Sequence, residues 1–242
     1  MFKEEILERL REQRELPKPT VEWPDGCYGA INAPLLFVGL SPGGGTVKSE
    51  YKPRMRKTEN AYWNVDYIEP FVEWSNGFKN SLKPIVESLL DITLEEGGYK
   101  LFAFANFDWI QNPVASEVPE SRIKEGIDEV KHLINAVSPK IIVALQKRAY
   151  KYLVTLLQEQ SYQLEYSESK SAKIRANKNS FHWELDASLI KGYGELNGCA
   201  LLRSPQHHAR IFSSEYAARV SQALRMALSS LIEGKKLQIE LV

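Results

Sequence analysis

The chain has 242 residues, of which 43% are apolar and 26% charged, and its 31 basic side chains balance 31 acidic ones. This is the composition of a globular protein with enough sequence to bury one substantial core, so we expect a single domain over residues 1–242. The balanced charge neither favours nor excludes a nucleic acid as partner, because local basic patches can still bind one.

Membrane proteins and cysteine-rich metal proteins are excluded by two further features. The charged first residues and the lack of any apolar stretch near about 18 residues argue against a signal peptide and a membrane span. The two cysteines, Cys27 and Cys199, lie far apart without C-x-x-C spacing, which excludes a four-thiolate cluster and a cysteine-rich zinc site. We therefore expect free thiols, a cytoplasmic location and no membrane partner.

The first half of the chain predicts two helices and one strand. Residues 2–15 have the apolar spacing of an amphipathic surface helix. Residues 35–39 form a short apolar run typical of a strand buried on both faces. Residues 43–76 are irregular and rich in Tyr, Trp and basic side chains, which is typical of a functional loop. Helical spacing returns over 78–90, where Pro84 either kinks the helix or opens it.

The second half repeats an alternation of strands and helices. We predict strands over 101–105 and 141–145, and helices over 123–137 and 149–157. The polar residues 161–180 are interpreted as an insertion, either a loop or an extended hairpin.

A last strand at 199–202 leads into a helix whose apolar positions run from Ala217 to Leu231. Strands alternating with helices predict an α/β fold, namely a three-layer α/β/α sandwich around a four-stranded parallel sheet with right-handed crossovers. Because ligands of such folds bind outside the carboxyl ends of the strands, we expect the functional site at that edge.

Two strand exits carry unusual sequences. Residues 35–45 read LLFVGLSPGGG, and residues 201–210 read LLRSPQHHAR. Consecutive glycines let the backbone approach a ligand closely and present N–H groups to it. The loop lacks the Gly-Lys-Ser/Thr of a Walker motif and the spacing of a Rossmann motif, so by itself it is equally well a tight turn at a strand end.

The order of these motifs resembles the uracil-DNA glycosylase superfamily, over most of residues 30–230. The segment Gly39-Leu40-Ser41-Pro42-Gly43 resembles the superfamily's first motif, which is a glycine, two variable positions, Pro and Gly. The stretch Asn60-Ala61-Tyr62-Trp63 is similar to the Asn-x-Phe-Trp stretch of the mismatch-specific branch. Residues 139–145 fit the third strand of the superfamily, and 204–210 fit its last motif, which usually begins with His-Pro.

The resemblance implies a DNA N-glycosylase, a hydrolase that removes uracil or a related deaminated or modified base without a cofactor. It implies that Asn106 reads the base, since a side-chain amide offers a donor and an acceptor to a pyrimidine edge. The alternative is that Asn106 satisfies loop backbone groups. The resemblance further places around the base Gly39, Leu40, Pro42, Gly43 and Tyr62. An aromatic side chain there could stack on the extruded base or belong to the core.

Two positions depart from the family pattern. Ser41 stands where the family usually has Asp or Asn to orient water, and Ser204 stands where its last motif usually begins with His. Ser41 is too weakly basic to accept a proton without help, so the predicted catalytic residues are Ser41 together with Asp108 and His207. Asp108 would orient water and His207 would donate to the departing base. Asp108 can also be interpreted as a solvent-facing loop acid.

The predicted DNA contacts lie in two segments. Ser204, Gln206, His208 and Arg210, with Arg203 beside them, have no acidic neighbour in the sequence and precede a helix amino terminus, where a phosphate binds readily. Arg54 and Arg56 belong to the basic cluster of residues 48–57. The alternative interpretation of this cluster is a solvated loop. Adjacent histidines point apart and have no third ligand at suitable spacing, so we expect no metal.

The sequence thus predicts a monomeric DNA-binding enzyme with two alternatives. The serines at 41 and 204 are compatible with a family member that binds DNA but has weak or no catalysis. The glycine loop is compatible, less well, with a nucleotide-binding α/β protein. Neither the excised base nor a preference for single or double strands is predicted.

Overall fold

A computed structural model describes residues 21–24, 28–29, 32–41, 55–58, 75–93, 101–108, 117–176, 179–204 and 214–235. The helix predicted at 2–15 lies outside these residues, as does most of the irregular stretch predicted at 43–76.

The described elements follow one another in a mainly alternating order. The strands are β1 (Val21–Pro24), β2 (Tyr28–Gly29), β3 (Leu35–Gly39), β4 (Met55–Thr58), β5 (Phe102–Asn106), β6 (Ile141–Ala144), β7 (Gln163–Ala176), β8 (Asn179–Lys191) and β9 (Ala200–Arg203). The helices are α1 (Ser75–Leu90), α2 (Glu120–Glu125), α3 (Ile127–Val137), α4 (Lys147–Glu159) and α5 (Ser214–Ile232).

The main sheet has seven strands in the order β2-β5-β3-β6-β9-β8-β7. Its four central strands, β5, β3, β6 and β9, are mutually parallel and correspond to the four predicted apolar runs. The α/β class is confirmed, but the prediction of a four-stranded parallel sheet is wrong. Antiparallel β2 extends one side, and the antiparallel pair β8 and β7 extends the other. These strands escaped prediction because β2 has two residues and β7 and β8 lack a continuous apolar run.

Helices cover both faces of the sheet, since successive side chains of a strand point to opposite faces. Leu35 and Phe37 of β3 pack in a cluster with α1 and α5. Leu36 and Val38 pack in a second cluster with α2, α3 and α4. The central strands are therefore buried on both faces, which explains why their sequences are continuous apolar runs.

A break at Gly126 divides the helix predicted over 123–137 into α2 and α3. A Cβ atom at Gly126 would lie 1.7 Å from the carbonyl oxygen of Phe107, so only glycine allows the helices this close to the end of β5. The helices predicted over 78–90, over 149–157 and from Ala217 to Leu231 are confirmed apart from their bounds. In α1, Pro84 lies inside the helix and does not open it.

The polar insertion predicted at 161–180 is an extended hairpin, which confirms one of its two interpretations. The hairpin is longer than predicted, because β8 continues to Lys191 and pairs with β9. A separate two-stranded sheet pairs β1 with β4, with Glu22 opposite Lys57 and Trp23 opposite Arg56. Residues 55–58 therefore form a strand within a stretch predicted to be irregular. The sequence does not indicate this strand, because MRKT contains no apolar run.

Among the helices of the described residues, none has the length and apolar character needed to cross a membrane. Cys199 is buried and is not part of a disulfide, as predicted, while Cys27 lies outside the described residues.

Candidate functional site

The four parallel strands end at one edge of the sheet. Backbone hydrogen bonds continue the pairing past the end of β5: the Phe107 N–H donates to the Gly39 carbonyl at 3.2 Å, and the Asp108 N–H donates to the Leu40 carbonyl at 2.7 Å. Leu40 is 1% exposed. The predicted site residues on β3 and those after β5 are thus direct neighbours.

The other two parallel strands end beside them. The Leu145 N–H donates to the Val38 carbonyl at 2.8 Å, and the Ser204 N–H donates to the Ala144 carbonyl at 2.9 Å. Ser204 is buried, with 2% of its surface exposed. The edge therefore assembles, in the order of the strands, the residues after β5, β3, β6 and β9.

Gly39 and Asn106 face each other across this edge. They are paired in the parallel register of β3 and β5, and Asn106 is 1% exposed. A Cβ atom at Gly39 would lie 2.5 Å from Oδ1 of Asn106 and 3.6 Å from Cε1 of Phe104. A side chain at position 39 would therefore displace the Asn106 amide. The two residues thus form one structural unit.

Ser41 lies two residues beyond the end of β3. Its Oγ is shielded from solvent and has no hydrogen-bond partner within the described part of the chain. A buried hydroxyl without a partner is uncommon in proteins and is a candidate contact for a bound group.

Asp108 is engaged in an ion pair. Its Oδ2 lies 2.8 Å from Nη2 of Arg122 on α2, and the carboxylate is 4% exposed. β5 ends at Asn106, so Asp108 lies two residues beyond the strand and the alternation of strand side chains does not place it beside Asn106. Arg122, the partner of Asp108, belongs to α2, which packs in the second cluster. Phe104, two residues before Asn106 on the same strand, belongs to the first cluster, on the other face of the sheet. Asp108 is not a solvent-facing loop acid, and its role in orienting water stays a prediction.

A buried polar cluster that the sequence did not predict lies where β9 meets β8. Nε of Arg203 is 2.6 Å from Oδ2 of Asp186, and the two side chains are 5% and 15% exposed. Arg203 therefore has an acidic neighbour in space, although it has none in its own segment. Tyr150 of α4 and Ser188 of β8 share a hydrogen bond of 3.3 Å between their hydroxyls. Burial raises the pKa of Tyr150, and the bond to Ser188 partly opposes that shift.

Gln146, between β6 and α4, has an unusual backbone conformation. Its φ of 145° and ψ of 164° fall in a region that is almost exclusive to glycine. Such strain costs on the order of 1 to 3 kcal/mol and is found most often at functional sites. The sequence contains no signal for it, because glutamine is an unremarkable residue at a strand exit.

The remaining predicted site residues lie outside the described residues, or have only their backbone described. Outside are Pro42, Gly43, Arg54, Tyr62, Gln206, His207, His208 and Arg210. Arg56 occupies a position in β4. The structure thus brings together Gly39, Leu40, Ser41, Asn106, Asp108 and Ser204 at one edge, and the roles of the others stay predictions.

Within the described ranges, no three or more His, Cys, Asp or Glu residues are grouped so that they could hold a metal ion. No protein-family model matches this chain, and no curated protein matches it either.

Proposed function

We propose that the protein binds DNA and hydrolyses the N-glycosidic bond of a deaminated or modified base, uracil or a related one, with a fold of the uracil-DNA glycosylase type. The observation that carries the proposal is the contact between Asn106 and Gly39. A buried amide packed against a glycine at the carboxyl edge of the parallel sheet suits a group that reads the edge of a flipped base.

The chemistry requires stabilisation of negative charge on the departing base and placement of a water molecule at the sugar. In this proposal the Asn106 amide donates to the base and accepts from it. The hydroxyl of Ser41, just after the neighbouring strand β3, contacts the sugar side. Asp108 accepts a hydrogen bond from the attacking water while Arg122 holds the carboxylate in place, and His207 donates to the base as it leaves.

The alternative is a DNA-binding protein of this type that does not release a base. Two observations favour it as the second candidate. Ser41 replaces a stronger hydrogen-bond acceptor, and the carboxylate of Asp108 already makes a 2.8 Å ion pair with Arg122. Loss of a general base typically slows a reaction by about 10² to 10⁴.

Base release from labelled oligonucleotides tests the proposal. Substrates carry uracil, hypoxanthine, a mismatched thymine or a bulky modified base, in single and double strands, and abasic sites are revealed by alkaline cleavage. We expect release from at least one substrate. Binding without release from every substrate would favour the second candidate, and stabilisation by a free nucleotide where DNA has no effect would favour a nucleotide-binding protein.

Two variants test the assigned roles. Asn106→Ala and His207→Ala should each lower base release by about 10² or more while changing DNA affinity little, because they act mainly on the transition state. Matched controls are Asn135→Ala and His132→Ala on the exposed side of α3, which should change neither quantity. Proportional losses of affinity and turnover in the two site variants would refute the roles.

A further inference from the structure

The hairpin of β7 and β8 continues beyond the edge that carries the candidate site. β8 pairs with β9 in antiparallel register only from Ala187 to Leu189, where Ala187 lies opposite Leu202. The residues of β8 that precede Asp186 therefore run past the end of β9, in the direction of the carboxyl edge. At roughly 3.3 Å per residue, the seven residues from 179 to 185 extend roughly 20 Å beyond that edge.

β7 accompanies β8 over this whole length. The pairing is continuous from Ser169 opposite Asp186 to Ala176 opposite Asn179. We name residues 169–176 and 179–186 the distal ribbon. It is a two-stranded element that extends past the edge of the sheet at which Asn106 and Ser204 lie.

The part of the distal ribbon toward its tip is more basic than the chain as a whole. Residues 169–183 contain four basic residues and no acidic one, whereas the whole chain has a net charge of zero. These basic residues are Lys170, Lys173, Arg175 and Lys178, the last of which lies outside the described residues. The acidic residues of the ribbon, Glu184 and Asp186, lie at its root.

The register separates the ribbon into two faces. Lys173 and Arg175 occupy alternate positions of β7, opposite His182 and Ser180, so these four positions share one face. Glu184 and Asp186 occupy positions of the same face nearer the root. On the other face Lys170 lies opposite Leu185 at the root, and the next two pairs beyond it carry apolar residues. They are Ala172, Ile174, Phe181 and Trp183.

The root of the ribbon is anchored at two points. Asp186 pairs with Arg203 at 2.6 Å, directly before Ser204, and Ser188 shares a hydrogen bond with Tyr150 of α4. Because a buried ion pair at the root ties β8 to β9, the direction in which the ribbon leaves the sheet is defined.

We propose that Lys173 and Arg175, toward the tip of the distal ribbon, bind the phosphate backbone of duplex DNA whose target nucleotide lies at the carboxyl edge. This rests on the proposed function and adds a partner contact to it. A two-stranded β-ribbon has the width that a DNA groove admits, and Lys and Arg side chains release counterions from the phosphates that they neutralise. The contact supplies affinity and orientation and does not read the base.

The test is the salt dependence of DNA binding by the double variant Lys173→Gln/Arg175→Gln. Fluorescence anisotropy with a 20-base-pair duplex at several NaCl concentrations gives the slope of log K against log salt. Each lost phosphate contact lowers the magnitude of this slope by about 0.9, so we expect a reduction of about 2.

The matched control is Lys131→Gln/Lys235→Gln, which removes the same charge from exposed positions on α3 and after α5. A slope that does not change in the ribbon variant, or that changes equally in the control, overturns the proposal while base release by the wild type still supports the glycosylase. A changed slope without base release supports the ribbon contact and refutes the glycosylase. Absence of any DNA binding by the wild type overturns both.

Discussion

Replacing Asp186 by asparagine should destabilise the protein far more than removal of an exposed charge. The substitution keeps the shape of the side chain but removes the negative charge 2.6 Å from Nε of Arg203, which is only 5% exposed. Breaking a buried ion pair by removing one partner costs about 3 to 5 kcal/mol. Since the amide oxygen of asparagine can still accept a hydrogen bond, we expect the lower end, about 3 kcal/mol. For a chain of this size, that lowers Tm by roughly 6 to 12 °C.

Urea unfolding followed by circular dichroism and by tryptophan fluorescence measures this loss. The matched control is Glu165→Gln, which removes a carboxylate from the same hairpin, where it pairs with Lys191 at 3.3 Å and both side chains are nearly half exposed. Exposed pairs contribute about 0 to 1 kcal/mol, so the control should change stability by less than about 1 kcal/mol. A similar small loss in both variants would show that the buried pair does not hold the root of the hairpin.

Three further substitutions test local features of the structure. Gln146→Gly should raise the free energy of unfolding by about 1 kcal/mol in urea titrations, because glycine relieves the strained backbone, whereas Gln160→Gly, at a φ of −88°, should lower it. Gly39→Ala should reduce base release in the oligonucleotide assay by about tenfold or more, since its Cβ would lie 2.5 Å from Oδ1 of Asn106; an unchanged rate would remove Asn106 from the site. Burial raises the pKa of Tyr216 from 10.0 to about 12, so the stability that it contributes is complete below pH 10 and is lost as the pH rises to 12. The free energy of unfolding from urea titrations should therefore fall between these pH values by about 2 kcal/mol more in the wild type than in Tyr216→Phe. Parallel dependences on pH would contradict the assignment.

The central part of the fold could be predicted from the sequence because burial leaves a local record. A strand covered on both faces must be apolar at every position, as residues 35–39 and 141–144 are. A helix that packs on one face repeats its apolar positions every three or four residues, as Val130 to Val137 do. Asn106 and Ser41 could be singled out since they follow such runs, and the ends of parallel strands meet at one edge.

The long hairpin, the helix break and the buried ion pair could not be predicted in the same way. Whether polar residues 163–176 form a loop or a strand depends on the partner that satisfies their backbone groups, and that partner is β8. Gly126 interrupts an otherwise regular helical pattern. The carbonyl of Phe107 occupies the space that a side chain at this position would need.

The sequence by itself determined which segments are buried, and with them the α/β class and the edge at which to look for a site. Only the tertiary structure decided that Asn106 lies over Gly39, that Asp186 neutralises Arg203, and that the basic hairpin extends past the same edge. The physical reason is that periodicity reports the environment of a single segment. Contacts between distant segments depend on register and strand direction, which arise only when the chain has folded.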